Sequence, residues 1–241
     1  MNLIIDCGNS RVKIAVFNGS EIIHFDVFTY NGFVNNVLEG IEKFNCKKGI
    51  ISSVTFLKKI EIDEIERKIS LIQLNSSTKI PFINNYQTPK TLGVDRIGLI
   101  AAAISNFPNK NVLVIDAGTC ITYDFVDAKR NYYGGAISPG VQMRYKSLPQ
   151  FTNKLPLLEP NYNVDLIGNT TESSIHSGII NGVLGEIDSV IDKYKEKNKG
   201  LTVVLTGGDV NFLLNKLKNS IFANPNFLLE GLNSILIYNL K

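Results

Sequence analysis

The chain has 241 residues, 44% of them hydrophobic and 20% charged, with a formal net charge of +3. That length holds one large domain or two modest ones with adequate cores, and the composition is ordinary for a soluble globular protein. The charge is dispersed, with no basic block interleaved with aromatics, which argues against nucleic acid, and no apolar run reaches membrane-span length. Three cysteines, Cys7, Cys46 and Cys120, make an odd count without a C-x-x-C pair. They point to free thiols in a reducing compartment. The first residues lack the layout of a signal peptide, so a cytoplasmic location is expected.

Residues 3–17 open with an apolar run, Leu3-Ile4-Ile5, that enters Asp6. Cys7-Gly8-Asn9-Ser10 then turns the chain, and Val12 to Phe17 returns as a strand. Glu21 to Phe28 reads as another strand, 32–45 as a weak helix, and Gly49 to Val54 as a short buried strand. Over 57–72, Ile60, Ile62, Ile65, Ile69 and Ile72 fall largely on one helical face. Pro89 and Gly93 mark a loop, after which Ile97, Ile100, Ala101 and Ile104 take helical spacing. Asp95 and Arg96 therefore sit in a first helical turn. An acid there is favoured by the helix dipole alone, while Arg96 can pair with a carboxylate or neutralise a phosphate.

Residues 112–127 repeat the opening plan. Val112 to Ile115 run into Asp116, Ala117-Gly118-Thr119 turns, and Ile121 to Val126 alternates as a return strand. A carboxylate at the mouth of a glycine turn, with a hydroxyl beside it, suits a metal–phosphate complex. One such hairpin is weak evidence, because glycine turns between strands are common. Two of them, close to half the chain apart, indicate an internal repeat at domain scale. Further on, Gly134 to Gly140 reads as a rigid turn, Gln142 to Leu148 as the start of a helix, and 149–163 as an extended excursion. A helix opens at 168–172, with Thr171 as its candidate cap, and continues amphipathically over 183–197. Val203-Val204-Leu205 leads into Thr206-Gly207-Gly208-Asp209, a third strand-to-glycine junction where backbone can approach a nucleoside. The tail, 226–241, reads as a closing helix. The lobe boundary is expected near 109–111, which gives lobes of 1–110 and 111–241.

Taken together these motifs resemble those of type III pantothenate kinases, almost end to end. They are Asp6-x-Gly8-Asn9-Ser10-x-x-Lys13, Gly93-x-Asp95-Arg96, Asp116-x-Gly118-Thr119-x-x-Thr122-x-Asp124, Gly134-Gly135-x-Ile137-x-Pro139-Gly140 and Thr206-Gly207-Gly208-Asp209. Ser10 stands where the family has threonine, and Cys120 where it has alanine. The resemblance implies a two-lobed α/β fold of the actin-like ATPase and sugar-kinase (ribonuclease H-like) class. It implies phosphoryl transfer from ATP to the primary hydroxyl of pantothenate, the first step toward coenzyme A. Magnesium, a monovalent cation (potassium or ammonium) and a homodimer are implied with it.

By motif position, Asp6, Cys7, Gly8, Asn9, Ser10, Arg11, Val12, Lys13 and Thr119 contact ATP. Asp116 holds the monovalent cation. Tyr86, Gly93, Val94, Asp95, Arg96 and Thr171 contact pantothenate, and Asp95 matches the proton acceptor. The two histidines, His24 and His176, lie outside every motif, which leaves a carboxylate as the natural base. The alternatives are a kinase of the same superfamily acting on another small alcohol, and a non-catalytic regulator of the same fold.

Overall fold

The structure, a computed structural model, describes residues 1–240. Strands β1 (Asn2–Cys7) and β2 (Val12–Asn18) form a hairpin, and β3 (Glu21–Phe28) follows. Helix α1 (Phe33–Phe44) leads to β4 (Lys48–Ser53), and α2 (Lys59–Glu66) to β5 (Ser70–Gln73). A two-residue strand, β6 (Ile83–Asn84), and a single 3₁₀ turn (Pro89–Thr91) precede α3 (Val94–Asn106). The second half supplies β7 (Val112–Ala117), β8 (Cys120–Val126), β9 (Asn131–Pro139), α4 (Val141–Phe151), α5 (Thr171–Lys197), β10 (Thr202–Thr206), α6 (Val210–Leu213), β11 (Phe222–Ala223) and α7 (Phe227–Asn239).

The duplication is visible in the sheets. One runs β3-β2-β1-β4-β5, and the other contains the same order as β9-β8-β7-β10-β11. In each, an antiparallel hairpin carries the aspartate and a parallel neighbour lies on its other side. The two compact units are discontinuous in sequence. The first comprises 1–108, 130–133 and the chain from Asn226; the second comprises 109–129 and 134–225. The cut expected near 110 falls close to the first junction, but the closing helix packs in the first unit, not with the half that precedes it.

In the first unit α1 buries Phe33, Val37 and Ile41 against Leu3, Ile5 and Ile14. Helices α3 and α7 meet at backbone contact, since a Cβ on Gly231 would overlap the carbonyl of Gly98. The buried Asn233 of α7 ties that helix to the sheet. Its Oδ1 accepts from Asn2 Nδ2 at 2.8 Å, and its Nδ2 donates to the Gly19 carbonyl at 2.9 Å. In the second unit α5 buries Ile180, Val183 and Ile187 against Leu113, Ile115 and Leu205. No helix among the described residues is long and apolar enough to cross a membrane.

Three local expectations are corrected. The helix read over 57–72 ends at Glu66, and Leu71 and Ile72 belong to β5, paired with Gly49 and Ile50 of β4. Isoleucine spacing alone does not separate a helix from a helix followed by a strand. Residues 134–139, read as a turn, continue β9. Gly135 serves close strand approach, because a Cβ there would overlap the Tyr123 carbonyl, while Gly134 has φ of 104°, which other residues rarely adopt. The cap of α5 is Thr170, whose side chain accepts from the Ser173 N–H at 3.1 Å; Thr171 is the first helical residue.

Candidate functional site

In the first unit the aspartate hairpin forms because β1 is a fully buried strand whose apolar run Leu3-Ile4-Ile5 leads into Asp6 and ends at Cys7. The turn closes through Gly8 N–H to the Arg11 carbonyl at 3.0 Å, and Cys7 O accepts from the Val54 N–H at 3.1 Å. Asn9, Ser10 and Arg11 are exposed at its tip. Asp6 stands opposite Lys13 on β2 and opposite Ser52 on β4. Burial raises its carboxyl from the ordinary 3.8 to about 6; Lys13 opposes the shift and Asp95 adds to it. Asp6, Lys13 and Asp95 are thus electrostatic neighbours. Cys7 is inert: burial, with the Asp6 charge beside it, pushes its thiol up to about 12.

Asp95 lies in the first turn of α3, after the cap residue Gly93. Its Oδ1 accepts from the Arg96 N–H at 2.8 Å. The carboxylate folds back over Gly93, where a Cβ would overlap Oδ1. Glycine is the residue that leaves this carboxylate its place. Arg96 is buried, with its guanidinium 5.5 Å from the Tyr86 ring centre, and Tyr86 stacks on Tyr132 at 6.2 Å. The segment 93–96 and Tyr86 are therefore brought together. Tyr132 was not read from the sequence; it lies in β9, beyond the second hairpin, and no local signal ties it to Tyr86.

In the second unit the hairpin of Asp116 is braced from two sides. Gly140 N–H donates to the Thr119 carbonyl at 3.1 Å, and a Cβ on Gly140 would overlap the carbonyls of Gly118 and Thr119. Gly207 has φ of 99° and lies against Ala117 O and Asp116 Oδ1, while Asp209 N–H donates to Ala117 O at 3.0 Å. The three glycine motifs of this half thus converge on one turn. Thr119 is exposed at its tip. Thr171 lies elsewhere in the unit, lining a cavity of about 850 Å³ with Leu148, Leu155, Thr170 and Ile175.

Both aspartates face a hydroxyl residue on a neighbouring strand. Asp116 stands opposite Thr122 and Thr206, as Asp6 stands opposite Lys13 and Ser52. The buried hydroxyls of Thr122 and Ser52 have no hydrogen-bond partner among the described residues. A carboxylate beside an unsatisfied hydroxyl suits a hard cation or its water. No group of three or more His, Cys, Asp or Glu side chains is placed to hold a metal alone among the described residues. Magnesium fits such a setting when substrate phosphates supply part of its shell.

The raised carboxyl of Asp6 has a stability consequence. Between pH ~4 and ~6 the folded chain holds a proton on Asp6 that the unfolded chain has released, so stability falls as pH rises through that window. Above it, keeping Asp6 charged and buried costs about 3 kcal/mol. Asp6→Asn is expected to raise Tm at about pH 7.5, without nucleotide or divalent cation, and to lose that advantage below about pH 4. Scanning calorimetry at both values checks it; a variant no more stable at the higher pH contradicts it.

The sequence profile described as type III pantothenate kinase matches residues 2–193. A type III pantothenate kinase of Christiangramia forsetii is 51% identical over 240 residues, covering 99% of each chain. Among solved structures, a Campylobacter jejuni protein assigned to the Baf family of transcriptional activators matches with a TM-score of 0.65 at 22% identity, over 99% of this chain and 98% of that one. Glucokinase from an Antarctic psychrotroph matches at a TM-score of 0.53 and 12% identity, over 98% of each chain. These two likenesses speak to the fold alone, that of the actin-like ATPases and sugar kinases.

Proposed function

The chain belongs to the type III pantothenate kinase family, and from that premise we propose how its residues carry phosphoryl transfer from ATP to pantothenate, the first step of coenzyme A biosynthesis. The observation that carries the proposal is Asp95, placed by Gly93 in the first turn of α3 beside Arg96 and in the field of Asp6.

Phosphoryl transfer asks for positioning and charge neutralisation more than for covalent chemistry. The turn of residues 6–13 offers backbone N–H groups, Ser10 and Lys13 to ATP phosphates, and Thr119 offers a hydroxyl to the same ligand. Asp95 orients the primary hydroxyl of pantothenate and accepts its proton. Arg96 and Tyr86 bind pantothenate with Gly93 and Val94, and Thr171 contributes from α5. Arg96, held over Tyr86, offers a fixed cation for an anionic substrate group.

Asp6 suits magnesium carried by the nucleotide, which would neutralise phosphate charge when bound. Asp116, with the Thr122 hydroxyl beside it, suits the monovalent cation. A cytoplasmic homodimer with no nucleic-acid partner completes the proposal: free Cys7, Cys46 and Cys120 support a reducing compartment, the small net charge speaks against nucleic acid, and the dimer is taken from the family resemblance.

The test of the cation assignment is an ATP-consumption assay with pantothenate and magnesium, in potassium or ammonium and then in sodium. Turnover that needs the larger cation is the expected result. Equal turnover in sodium removes the role given to Asp116 and leaves the kinase.

A further inference from the structure

The turn of residues 7–11 is held by a side chain that no motif contains. Tyr30 lies two residues beyond β3, and its hydroxyl donates to the Gly8 carbonyl at 2.6 Å. Its own carbonyl accepts from the N–H of Phe33, the first residue of α1, at 3.2 Å, and its ring lies 6.5 Å from that of Phe33. The hydroxyl is therefore anchored to a helix, not to the turn it grips. Burial, with Cys7 and Asp6 close by, pushes its pKa up to about 12, so it remains a donor across the working range of an enzyme.

The consequence follows from peptide geometry. No peptide bond in the described chain is cis. In a planar trans peptide the carbonyl and the next N–H point in opposite directions. Tyr30 draws the Gly8 oxygen to one side of the turn, so the Asn9 N–H points to the other. Among the described residues no backbone carbonyl accepts from that N–H. Without the tyrosine hydroxyl the Gly8–Asn9 peptide is free to flip, because a flip changes ψ of Gly8 and φ of Asn9, which glycine and asparagine both tolerate, whereas the preceding Cys7–Gly8 peptide is pinned at both its oxygen and its N–H. The flipped peptide presents a carbonyl oxygen where the native one presents an N–H, and an anion is then repelled instead of bound.

We infer that Tyr30 is a positioning residue for the nucleotide phosphates, fixing the Gly8–Asn9 peptide so that the Asn9 N–H faces the ligand. The inference rests on the reading of residues 6–13 as the ATP phosphate turn, and the experiment separates the two. Tyr30→Phe keeps the ring and its packing and removes only the donor. Steady-state kinetics and Tm are measured for the wild type, Tyr30→Phe and Ser10→Ala.

Tyr30→Phe is expected to raise the KM for ATP about five-fold, the worth of one ordinary hydrogen bond, with the KM for pantothenate unchanged. If Ser10→Ala raises the KM for ATP and Tyr30→Phe does not, the inference fails and the phosphate turn stands. If neither variant moves it, both fail. If Tyr30→Phe lowers Tm and weakens both substrates alike, Tyr30 is only structural and the inference is overturned.

Discussion

Asp95→Asn is expected to lower kcat by about 10²–10⁴-fold, the usual worth of a positioned general base, while ATP binding stays near the wild-type value. The variant is a clean one. Asparagine keeps the shape of the side chain and an Oδ1 able to accept from the Arg96 N–H, the bond that holds Asp95 over Gly93. The first turn of α3 therefore keeps its geometry, and what is lost is the ability to take a proton. Asp95 is also one of the charges that raise the Asp6 carboxyl. Its neutralisation makes Asp6 easier to ionise, which favours cation binding and works against any loss of nucleotide affinity. Turnover and calorimetric ATP binding on the same preparation decide the matter. Near-wild-type turnover removes the base from Asp95; loss of ATP binding in step with turnover makes it a nucleotide contact instead.

Gly207→Ala is expected to damage both stability and activity, and Gly208→Ala, one residue on, to leave stability nearly untouched. At Gly207 φ is 99°, which L residues rarely adopt, and an added Cβ overlaps Ala117 O and Asp116 Oδ1. Two of the three close atoms are backbone of the neighbouring strand and cannot swing aside; the third is the carboxylate assigned to the cation. At Gly208 the same Cβ meets nothing within 4 Å. The backbone strain and the overlap together are worth about 2–4 kcal/mol, or roughly 5–15 °C in Tm for a chain of this size. Thermal unfolding of the two variants side by side checks it, since composition and chain position are matched. Equal Tm values mean that the turn after β10 yields, and that it does not brace Asp116.

The parts legible in the sequence are those whose signal is local. Both aspartate hairpins combine an apolar run, a glycine turn and an alternating return strand, and each appears within a residue or two of its expected place. The duplication was legible for the same reason, since it repeats a local pattern. What failed was non-local. Gly134 and Gly135 look like a turn, and only the Tyr123 carbonyl across the sheet shows that Gly135 serves strand packing. The closing helix looks like part of the second half, and contacts distant in sequence, Gly231 with Gly98 and Asn233 with Asn2 and Gly19, bring it to the first unit. Strands β6 and β11, of two residues each, are too short to show any period.

The site divides along the same line. Asp6, Asp95 and Asp116 carry motif spacing and were legible. The residues that surround them were less so: Tyr30 on Gly8, Tyr132 under Tyr86, and the unsatisfied hydroxyl of Ser52 opposite Asp6. Each is an ordinary residue in an ordinary strand or loop until the fold supplies its neighbour.

The central claim is that this chain moves a phosphoryl group from ATP to pantothenate. The most direct test incubates the purified protein with ATP, magnesium, potassium and pantothenate, and follows ADP release together with the mass of the acceptor. The predicted result is ADP formation that requires pantothenate and matches, mole for mole, a phosphate monoester of its primary alcohol. ADP release independent of pantothenate, or folded protein that leaves both substrates unchanged, contradicts it.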